Sequence, residues 1–393
     1  MKKPLLGMAA LAFLAACGGG GDDDGGVIVV PGTPTPSPTP APTPAPTPTP
    51  TGYGVTQIGT ADYSALAFLP DGRSILTRSD GTVSIGAATT PAAPVALAAK
   101  VPTGDISGGG VLDVVVDPAF ATNGLVYFTS TEGRIGGTVA MTVVRGRLSG
   151  TGTAVTLSDQ LVIWRGNAVT LTNTTTNYGG KMAFKDGTLL VAIGDFGLPD
   201  AAQDLSGALG KIIRINTDGS PAAGNPQLGI PGRQVDVFSY GHRAPTGLTV
   251  GTDGTIYETE LAPRVGDELN VVQSGRNYGW PLASEGSRED FSAYPRHSEV
   301  QGVTAPYYVW RTVTVPTDLI QVRSQKDGLA GQLLIGTSSG QDVKRFTPGT
   351  NAPTEGERIV VGGFTTIVAE APDGNVYVVT YTSDGRFYRI DRK

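Results

Sequence analysis

The sequence predicts an all-β protein in which residues 52–393 form a six-bladed β-propeller. From Tyr53 onward the chain lacks long stretches with the 3.6-residue apolar period of helices. It contains instead short β-prone runs that are separated by Gly-rich turns. Clear examples of these runs, spread along the whole segment, are residues 74–77, 125–129, 188–192, 255–257, 332–336 and 375–379.

The turns that precede these runs support the same architecture. Asp-Gly suits a tight hairpin because its second residue readily adopts a positive φ. Six repeats of roughly 57 residues exceed what a two-sheet sandwich normally holds, which favours a propeller. Four repeats carry Asp-Gly and two carry variant turns: Asp71-Gly72, Asp186-Gly187, Asp253-Gly254, Asp373-Gly374, Asp117-Pro118 and Leu329-Ala330-Gly331.

A propeller of this size buries its core between blades and binds ligands over its central channel, where loops from all blades converge. We therefore expect the chemistry of the protein to lie in the loops that follow the innermost strands.

Composition excludes several classes of function. The chain has 393 residues, 29 Lys+Arg and 35 Asp+Glu, so its formal net charge is −6. An acidic chain lacks the basic face that nucleic acids require as a partner. A single Cys excludes an intramolecular disulfide and a Cys-rich zinc site, and the two His, His242 and His297, are the only candidates for an imidazole base.

The first 16 residues predict an export signal peptide. Lys2 and Lys3 precede an apolar run that is too short for a membrane-spanning helix. The string 14–17, Leu-Ala-Ala-Cys, resembles the lipobox of bacterial lipoproteins. That resemblance implies that Cys17 carries the lipid, and that the mature protein is anchored in the outer membrane, facing the periplasm or the cell surface.

Residues 17–51 form a predicted disordered linker. The segment is Gly/Asp-rich at first, and Pro then occupies every second position from Pro34 to Pro50. Such a segment cannot form a core. Because alternating Pro favours the polyproline II helix, it should act as a semi-rigid stalk of roughly 60 Å.

Several longer strings resemble one family, the soluble quinoprotein glucose/sorbosone and aldose-sugar dehydrogenases. The resemblance covers residues 54–392, and its most specific element is Asn-Tyr-Gly-Trp-Pro following Gly-Asp-Glu-Leu-Asn. The strings that carry it are residues 112–120, 202–205, 210–216, 239–245, 266–270 and 277–281.

The resemblance implies a six-bladed propeller and an activity. Family members oxidise an aldose at C1 to the lactone with pyrroloquinoline quinone (PQQ). A His accepts the hydroxyl proton while hydride passes to the quinone, and calcium and an Arg polarise the quinone oxygen. PQQ carries three carboxylates, so its pocket should be cationic.

Positions that would act on PQQ differ in this chain. The base His corresponds to Asn177, whose amide cannot accept a proton at neutral pH, and a cofactor-contacting Gln corresponds to Gly108. The clamp Arg is retained as Arg243. A Lys beneath the cofactor corresponds to Ser339, and a paired Arg-x-Arg to Phe364-Thr365-Thr366. Because three cations are missing, we expect PQQ chemistry to be impaired or lost.

Other positions are retained. By resemblance, Glu268 and the backbone carbonyl of Tyr278 match a calcium site, with ordinary blade packing as the alternative. The carbonyls of Ala262 and Pro263 align with those that hold the cofactor calcium. Asp195 matches an acidic residue near the family's active site, where it is a candidate replacement base or a turn residue that caps local amides.

The two His are assigned from their context. His242, in a Gly-His-Arg string, is expected to be a packed, hydrogen-bonded loop residue and not a base. His297, in a polar loop, is expected to face solvent.

Three functions remain open at this point. The first is a PQQ- and calcium-dependent sugar dehydrogenase. The second is a non-catalytic propeller of the cell envelope that binds a carbohydrate or a partner. The third is a calcium-dependent hydrolase of the lactonase type, for which Asn177, Asp195 and Glu268 offer scattered ligands.

Overall fold

Six antiparallel β-sheets of four or five strands form the described part of the chain. The computed structural model describes residues 52–60, 62–87, 90–104, 108–134, 136–171, 177–228, 235–288, 290–381 and 385–393, all within the unit Thr49–Lys393. The predicted signal peptide, Cys17 and the Pro-rich linker lie outside these residues. Within the described ranges, no helix has the length and apolarity needed to cross a membrane.

The strands are numbered in chain order, and each sheet is one blade. Strand β1 is Tyr53–Gly59. Blade 1 consists of β2 (Ala65–Phe68), β3 (Ser74–Thr77), β4 (Thr82–Ala87) and β5 (Thr90–Lys100). Blade 2 consists of β6 (Val111–Val116), β7 (Leu125–Gly133), β8 (Thr138–Thr151), β9 (Ala154–Arg165) and β10 (Val169–Thr170). Blade 3 consists of β11 (Gly179–Lys185), β12 (Thr188–Ile193), β13 (Lys211–Ile215) and β14 (Val237–Tyr240).

The remaining blades follow the same plan. Blade 4 consists of β15 (Pro245–Val250), β16 (Ile256–Glu260), β17 (Glu268–Val272) and β18 (Tyr308–Val309). Blade 5 consists of β19 (Pro316–Gln321), β20 (Leu333–Thr337), β21 (Asp342–Thr347), β22 (Thr354–Glu355) and β23 (Ile359–Val360). Blade 6 consists of β24 (Phe364–Glu370), β25 (Val376–Tyr381), β26 (Arg386–Arg392) and β1. The short helices are α1 (Phe120–Asn123) and three 3₁₀ turns, Pro199–Ala202, His297–Glu299 and Lys326–Gly328.

The first strand of each blade lines the centre of the molecule. Strands β2, β6, β11, β15, β19 and β24 contact one another in this cyclic order, and β24 contacts β2. This closed ring confirms the predicted six-bladed propeller.

The ring is closed by strand exchange between the two ends of the domain. β1 pairs antiparallel with β26 and becomes the outermost strand of blade 6. Its backbone groups satisfy an edge that would otherwise be open.

The predicted repeats coincide with the blades. Each of the six β-prone runs overlaps the second strand of a blade: β3, β7, β12, β16, β20 and β25. The six predicted turns join each first strand to its second strand. Gly72, Gly187, Gly254 and Gly374 all have φ between +75° and +86°, as the hairpin argument requires.

The apolar core lies between blades. Each of the six buried clusters contains side chains from two consecutive blades. The cluster that contains Leu66, Leu76 and Tyr377 joins blade 6 to blade 1. A typical interface packs Tyr127 of blade 2 against Phe184 of blade 3, with ring centroids 5.4 Å apart. Because single sheets bury little by themselves, the blades stabilise one another.

Charged side chains from three innermost strands meet in the channel. Lys181 of β11 forms a salt bridge of 2.8 Å with Asp318 of β19, and Asp113 of β6 is the third member of this group, here called the channel triad. Asp113 and Asp318 also accept the backbone N–H groups of Met182 and Val368, at 2.8 and 2.9 Å. The triad therefore ties blades 2, 3, 5 and 6 together across the axis.

Candidate functional site

The predicted site residues gather at one end of the channel. In antiparallel blades, the start of the innermost strand and the end of the second strand lie at the same end. Asn177 and Arg243 lie just before β11 and β15, whereas Asp195 and Ala262 follow β12 and β16. These candidate residues therefore precede the first strands or follow the second strands, and they do not lie in the loops that directly follow the innermost strands.

Asp195 is the centre of a hydrogen-bond network at this mouth. Its side chain is 1% exposed. Oδ1 accepts the Asn177 amide at 3.0 Å and the Gly197 backbone N–H at 2.8 Å, and Oδ2 accepts the Trp280 indole N–H at 2.8 Å. The carboxylate thus orients three groups, as the turn-capping interpretation predicted.

The segment 277–280 is clamped against blade 3 by Gln203. The Gln203 amide donates to Asn277 Oδ1 at 3.0 Å and to the Trp280 carbonyl at 2.6 Å, and it accepts the Asn277 amide at 2.8 Å. The backbone N–H groups of Tyr278 and Trp280 donate to Tyr240 and Gly241. The strings 202–205 and 277–281, which are separate in the sequence, are therefore in contact in the structure, and this contact positions the Trp280 indole against Asp195.

Arg243 faces the backbone of the loop after β16. Its guanidinium donates to the carbonyls of Leu261 and Ala262 at 2.9 and 3.2 Å, and it lies 5.4 Å from the centroid of the Trp280 ring. The retained Arg and a predicted calcium-binding carbonyl are thus bonded to each other. Pro263, the other predicted carbonyl, follows directly in the same loop.

The substituted positions carry neutral groups. Ser339 donates its hydroxyl to the carbonyls of Val313 and Thr314, at 2.8 and 2.7 Å. Phe364 is 44% exposed and lies opposite Tyr381, which is 46% exposed, so two neighbouring aromatic rings meet solvent at this end of blade 6. Gly108 has φ +73°, in the region that favours glycine.

Three buried carboxylates lie together on blade 4. Glu258 and Glu260 share one face of β16, and Glu260 is the cross-strand partner of Glu268 on β17. Burial raises the pKa of Glu260 to about 7, and the bonds to Arg243 oppose this rise. Burial, followed by the charge of Glu260, raises the pKa values of Glu258 and Glu268 well above their ordinary range. A bound cation would stabilise the ionised form of these carboxylates and so offset the cost of removing them from water.

A small cavity is lined by three of the four residues predicted to bind calcium, and Pro263 is not among them. Glu268, Tyr278 and Ala262 all line it, as does Glu260. The Tyr278 carbonyl oxygen lies 3.0 Å from His297 Nε2 and accepts a hydrogen bond from it when the imidazole carries its proton on that nitrogen. Carboxylate and carbonyl oxygens around one cavity are a suitable donor set for calcium.

The two His occupy buried positions. His242 is fully buried, stacks on Tyr278 with centroids 4.7 Å apart and lies 2.9 Å from the Ser239 hydroxyl, as expected of a packed loop residue. Burial, and to a smaller extent the charge of Lys211, lowers the pKa of His242 to about 3. The expectation that His297 faces solvent was wrong, because it is 5% exposed and lies 3.5 Å from Glu285.

Sequence reasoning missed Glu258 and Glu260. The signal was present: two carboxylates at alternate positions of a short strand lie on the same face of a sheet. The strand string Ile-Tyr-Glu-Thr-Glu, followed by a second acidic strand, predicts adjacent buried acids once the pairing of β16 with β17 is known.

Comparisons with known proteins agree on one family. The family model described as Glucose / Sorbosone dehydrogenase matches residues 62–389. Aldose sugar dehydrogenase YliI of Escherichia coli is 31% identical over 336 residues, which are 83% of this chain and 89% of that protein.

Solved structures match over most of both chains. The apo-form crystal structure of the soluble aldose sugar dehydrogenase from Escherichia coli has a TM-score of 0.80 and 27% identity, covering 87% of this chain and 100% of that one. The PQQ-bound aldose sugar dehydrogenase from Streptomyces coelicolor has a TM-score of 0.69 at 24% identity, covering 88% and 99%, and shares the fold.

Proposed function

This chain belongs to the glucose/sorbosone dehydrogenase family, whose members include an aldose sugar dehydrogenase and a quinoprotein glucose dehydrogenase, and we propose that it binds a carbohydrate at the channel mouth but has lost PQQ-dependent oxidation. The observation that carries the proposal is the Asn177–Asp195 hydrogen bond at the position where the family resemblance places the base. An amide nitrogen has no lone pair with which to accept the hydroxyl proton of a sugar.

The residues at the mouth do not fit a ligand with three carboxylates. Ser339 and Phe364 are neutral where the resemblance places cations. The Arg243 guanidinium donates to two backbone carbonyls, and the Arg243 backbone N–H donates to Glu260. Charge-assisted hydrogen bonds contribute about 1.5–3 kcal/mol each. Three missing cations therefore correspond to a loss of about 10³–10⁶ in affinity.

The same mouth keeps surfaces that suit a sugar. Phe364 and Tyr381 present neighbouring, half-exposed rings, on which the apolar face of a pyranose can pack. The names of the relatives, glucose dehydrogenase and aldose sugar dehydrogenase, support a carbohydrate as the ligand.

We also propose that calcium binds in the cavity of blade 4. Glu268 and the Tyr278 carbonyl are the ligands that the family resemblance indicates, and Glu260 adds a third oxygen donor from the same cavity. An ion here would neutralise carboxylates whose pKa values burial raises. Its role would be to hold the loop 273–307 against blade 4.

PQQ binding is the first test of the lost-oxidation proposal. Calorimetric titration of PQQ into the full-length protein with calcium present should give no binding at micromolar concentrations. Restoration of the base alone, Asn177→His, should not produce aldose oxidation in a dye-reduction assay, because the cationic pocket is still missing. Micromolar PQQ binding, or rapid aldose oxidation by the unmodified chain, would show that this is an active dehydrogenase.

Removal of calcium tests the cavity. A ligand present at a hundred times its Kd stabilises a protein by about 2.7 kcal/mol, so calcium added in excess to the EDTA-treated protein should raise its Tm by a few degrees. Glu268→Gln should abolish the response to calcium.

The sign of the Glu268→Gln effect separates binding from packing. In EDTA the variant should be at least as stable as the unmodified protein, because it removes a buried carboxylate that burial disfavours. An equal loss of stability with and without calcium would indicate a packing role for Glu268 and no ion.

A further inference from the structure

A second group of metal-ligating side chains lies deeper in blade 4 than the calcium cavity. It consists of His242, Glu258 and Glu260, whose ligand atoms all lie within 4.8 Å of one another, together with Asn270. Asn270 is the cross-strand partner of Glu258. His242 and Glu258 do not line the calcium cavity, whereas Glu260 borders both sites. This group is called the deep cluster below.

The deep cluster is removed from water. His242, Glu258 and Asn270 have no exposed surface, and Glu260 is 5% exposed. An ionised carboxylate at such a depth costs several kcal/mol unless it is paired. Asn270 donates to Glu258 Oε2 at 3.0 Å, and the Arg243 backbone N–H donates to Glu260 Oε2 at 2.8 Å. These neutral donors bring no positive charge to the two carboxylates.

Acceptor atoms in the cluster lack partners. Across the described part of the chain, no group hydrogen-bonds to His242 Nδ1, Glu258 Oε1 or Asn270 Oδ1. Buried polar atoms without partners are rare and call for an explanation. The unpartnered His242 Nδ1 lies between two buried carboxylates, which indicates a shared partner that is not a protein atom.

The distances suit a metal ion better than a hydrogen bond. His242 Nδ1 lies 3.9 Å from Glu258 Oε2 and 3.9 Å from Glu260 Oε2. This separation is too long for a hydrogen bond. Two ligands that are each about 2.0–2.2 Å from one ion lie no more than about 4.4 Å apart, so a single ion can bridge His242 Nδ1 to either carboxylate. The ligand atoms of all three side chains lie within 4.8 Å of one another, so a small adjustment of one carboxylate brings all three to the same ion.

The outer contacts of the cluster support the same arrangement. The Ser239 hydroxyl lies 2.9 Å from His242 Nε2 and can accept its proton, which leaves the Nδ1 lone pair directed at the carboxylates. A metal-binding His usually donates its other N–H to such an acceptor. Stacking on Tyr278 holds the imidazole ring in this orientation.

We propose that His242 Nδ1, Glu258 and Glu260 bind a divalent transition-metal ion of the Zn²⁺ or Mn²⁺ type. An imidazole nitrogen with carboxylates is a donor set for these ions, whereas calcium prefers oxygen alone. Because the ligands are fully buried, the site is closed and its role is structural. It joins the loop that leads into β15 to strand β16.

Metal analysis of the full-length protein tests the proposal directly. Protein purified without chelator should contain about one equivalent of zinc or manganese in elemental analysis. After removal of metal by EDTA, calorimetric titration should show one Zn²⁺ site. Glu258→Gln and His242→Asn should each weaken Zn²⁺ binding by about 100-fold or more.

Glu268→Gln is the matched control. It should lose the calcium-dependent change in Tm but keep Zn²⁺ binding, whereas Glu258→Gln should show the reverse. These opposite patterns separate failure of the deep site from failure of the calcium proposal. Far-UV circular dichroism checks that each variant is folded.

Two results would overturn the deep site. One is unmodified protein without bound transition metal that also fails to bind Zn²⁺ after EDTA treatment, which would mean that protons neutralise the buried carboxylates. The other is unchanged Zn²⁺ affinity in a folded Glu258→Gln variant, which would place the ion elsewhere. The first result is obtained from the unmodified chain and does not depend on the folding of a variant.

Discussion

Replacement of Lys181 by methionine should lower the free energy of unfolding by about 3–5 kcal/mol. The change keeps most of the side-chain volume but removes the charge that faces Asp318 at 2.8 Å and Asp113 beside it. Two buried carboxylates then face each other without a cation. Denaturant unfolding at pH 7.5 measures the loss.

Asp113→Asn is the control for this experiment. The Asn oxygen can still accept the Met182 backbone N–H, and Lys181 keeps its salt bridge with Asp318. We therefore expect this variant to lose little stability at pH 7.5 or to gain some. Equal stability of Lys181→Met and the unmodified protein would show that water in the channel solvates the carboxylates.

The channel triad also predicts a dependence on pH. Burial raises the pKa of Asp113 to about 6; Lys181 opposes this rise and Asp318 adds to it. Between about pH 4 and 6 the native state keeps a proton that the unfolded state has released, so stability falls as pH rises through this window. The free energy of unfolding of the unmodified protein, minus that of Asp113→Asn, should fall by about 3 kcal/mol from pH 4 to 7. A flat or rising difference would contradict the assignment.

Replacement of Asp195 by alanine should cost about 3–5 kcal/mol, because it leaves Asn177, Gly197 and Trp280 with donors that have lost their acceptor. Each buried donor without a partner costs about 1–3 kcal/mol, and water at the mouth recovers part of this. Thermal or denaturant unfolding measures the effect, and loss of the Trp280 contact should change the intrinsic fluorescence.

Asp195→Asn separates this structural role from a role as a base. Its oxygen can still accept from Asn177 and Gly197, but its NH₂ group then faces the Trp280 indole N–H, so we expect an intermediate loss. If both variants were as stable as the unmodified protein, Asp195 would not be the centre of the network. Its candidacy as a replacement base would then deserve an activity screen.

The sequence alone determined the blade plan. The β-prone runs and the turns before them mark the second strand of every blade, because a tight hairpin and a buried strand each impose a local requirement on residue type. The assignment of Asn177 to the base position came instead from the family resemblance, in which the following glycines define the register of the string, and it stays a prediction. The prediction of a packed His242 also followed from its immediate neighbours.

Only the tertiary structure decided which residues meet. Lys181 and Asp318 are far apart in sequence, and their pairing depends on the position of β11 and β19 around the ring. The burial of His297 depends on its contacts with Glu285 and with the Tyr278 carbonyl, which lie earlier in the same loop. The pairing of β16 with β17, which turns separate acids into one buried cluster, and the closure of blade 6 by β1 are likewise contacts between segments. Local patterns encode strands and turns, whereas the charge and solvation of a site depend on long-range packing, which the pattern of a single segment does not contain.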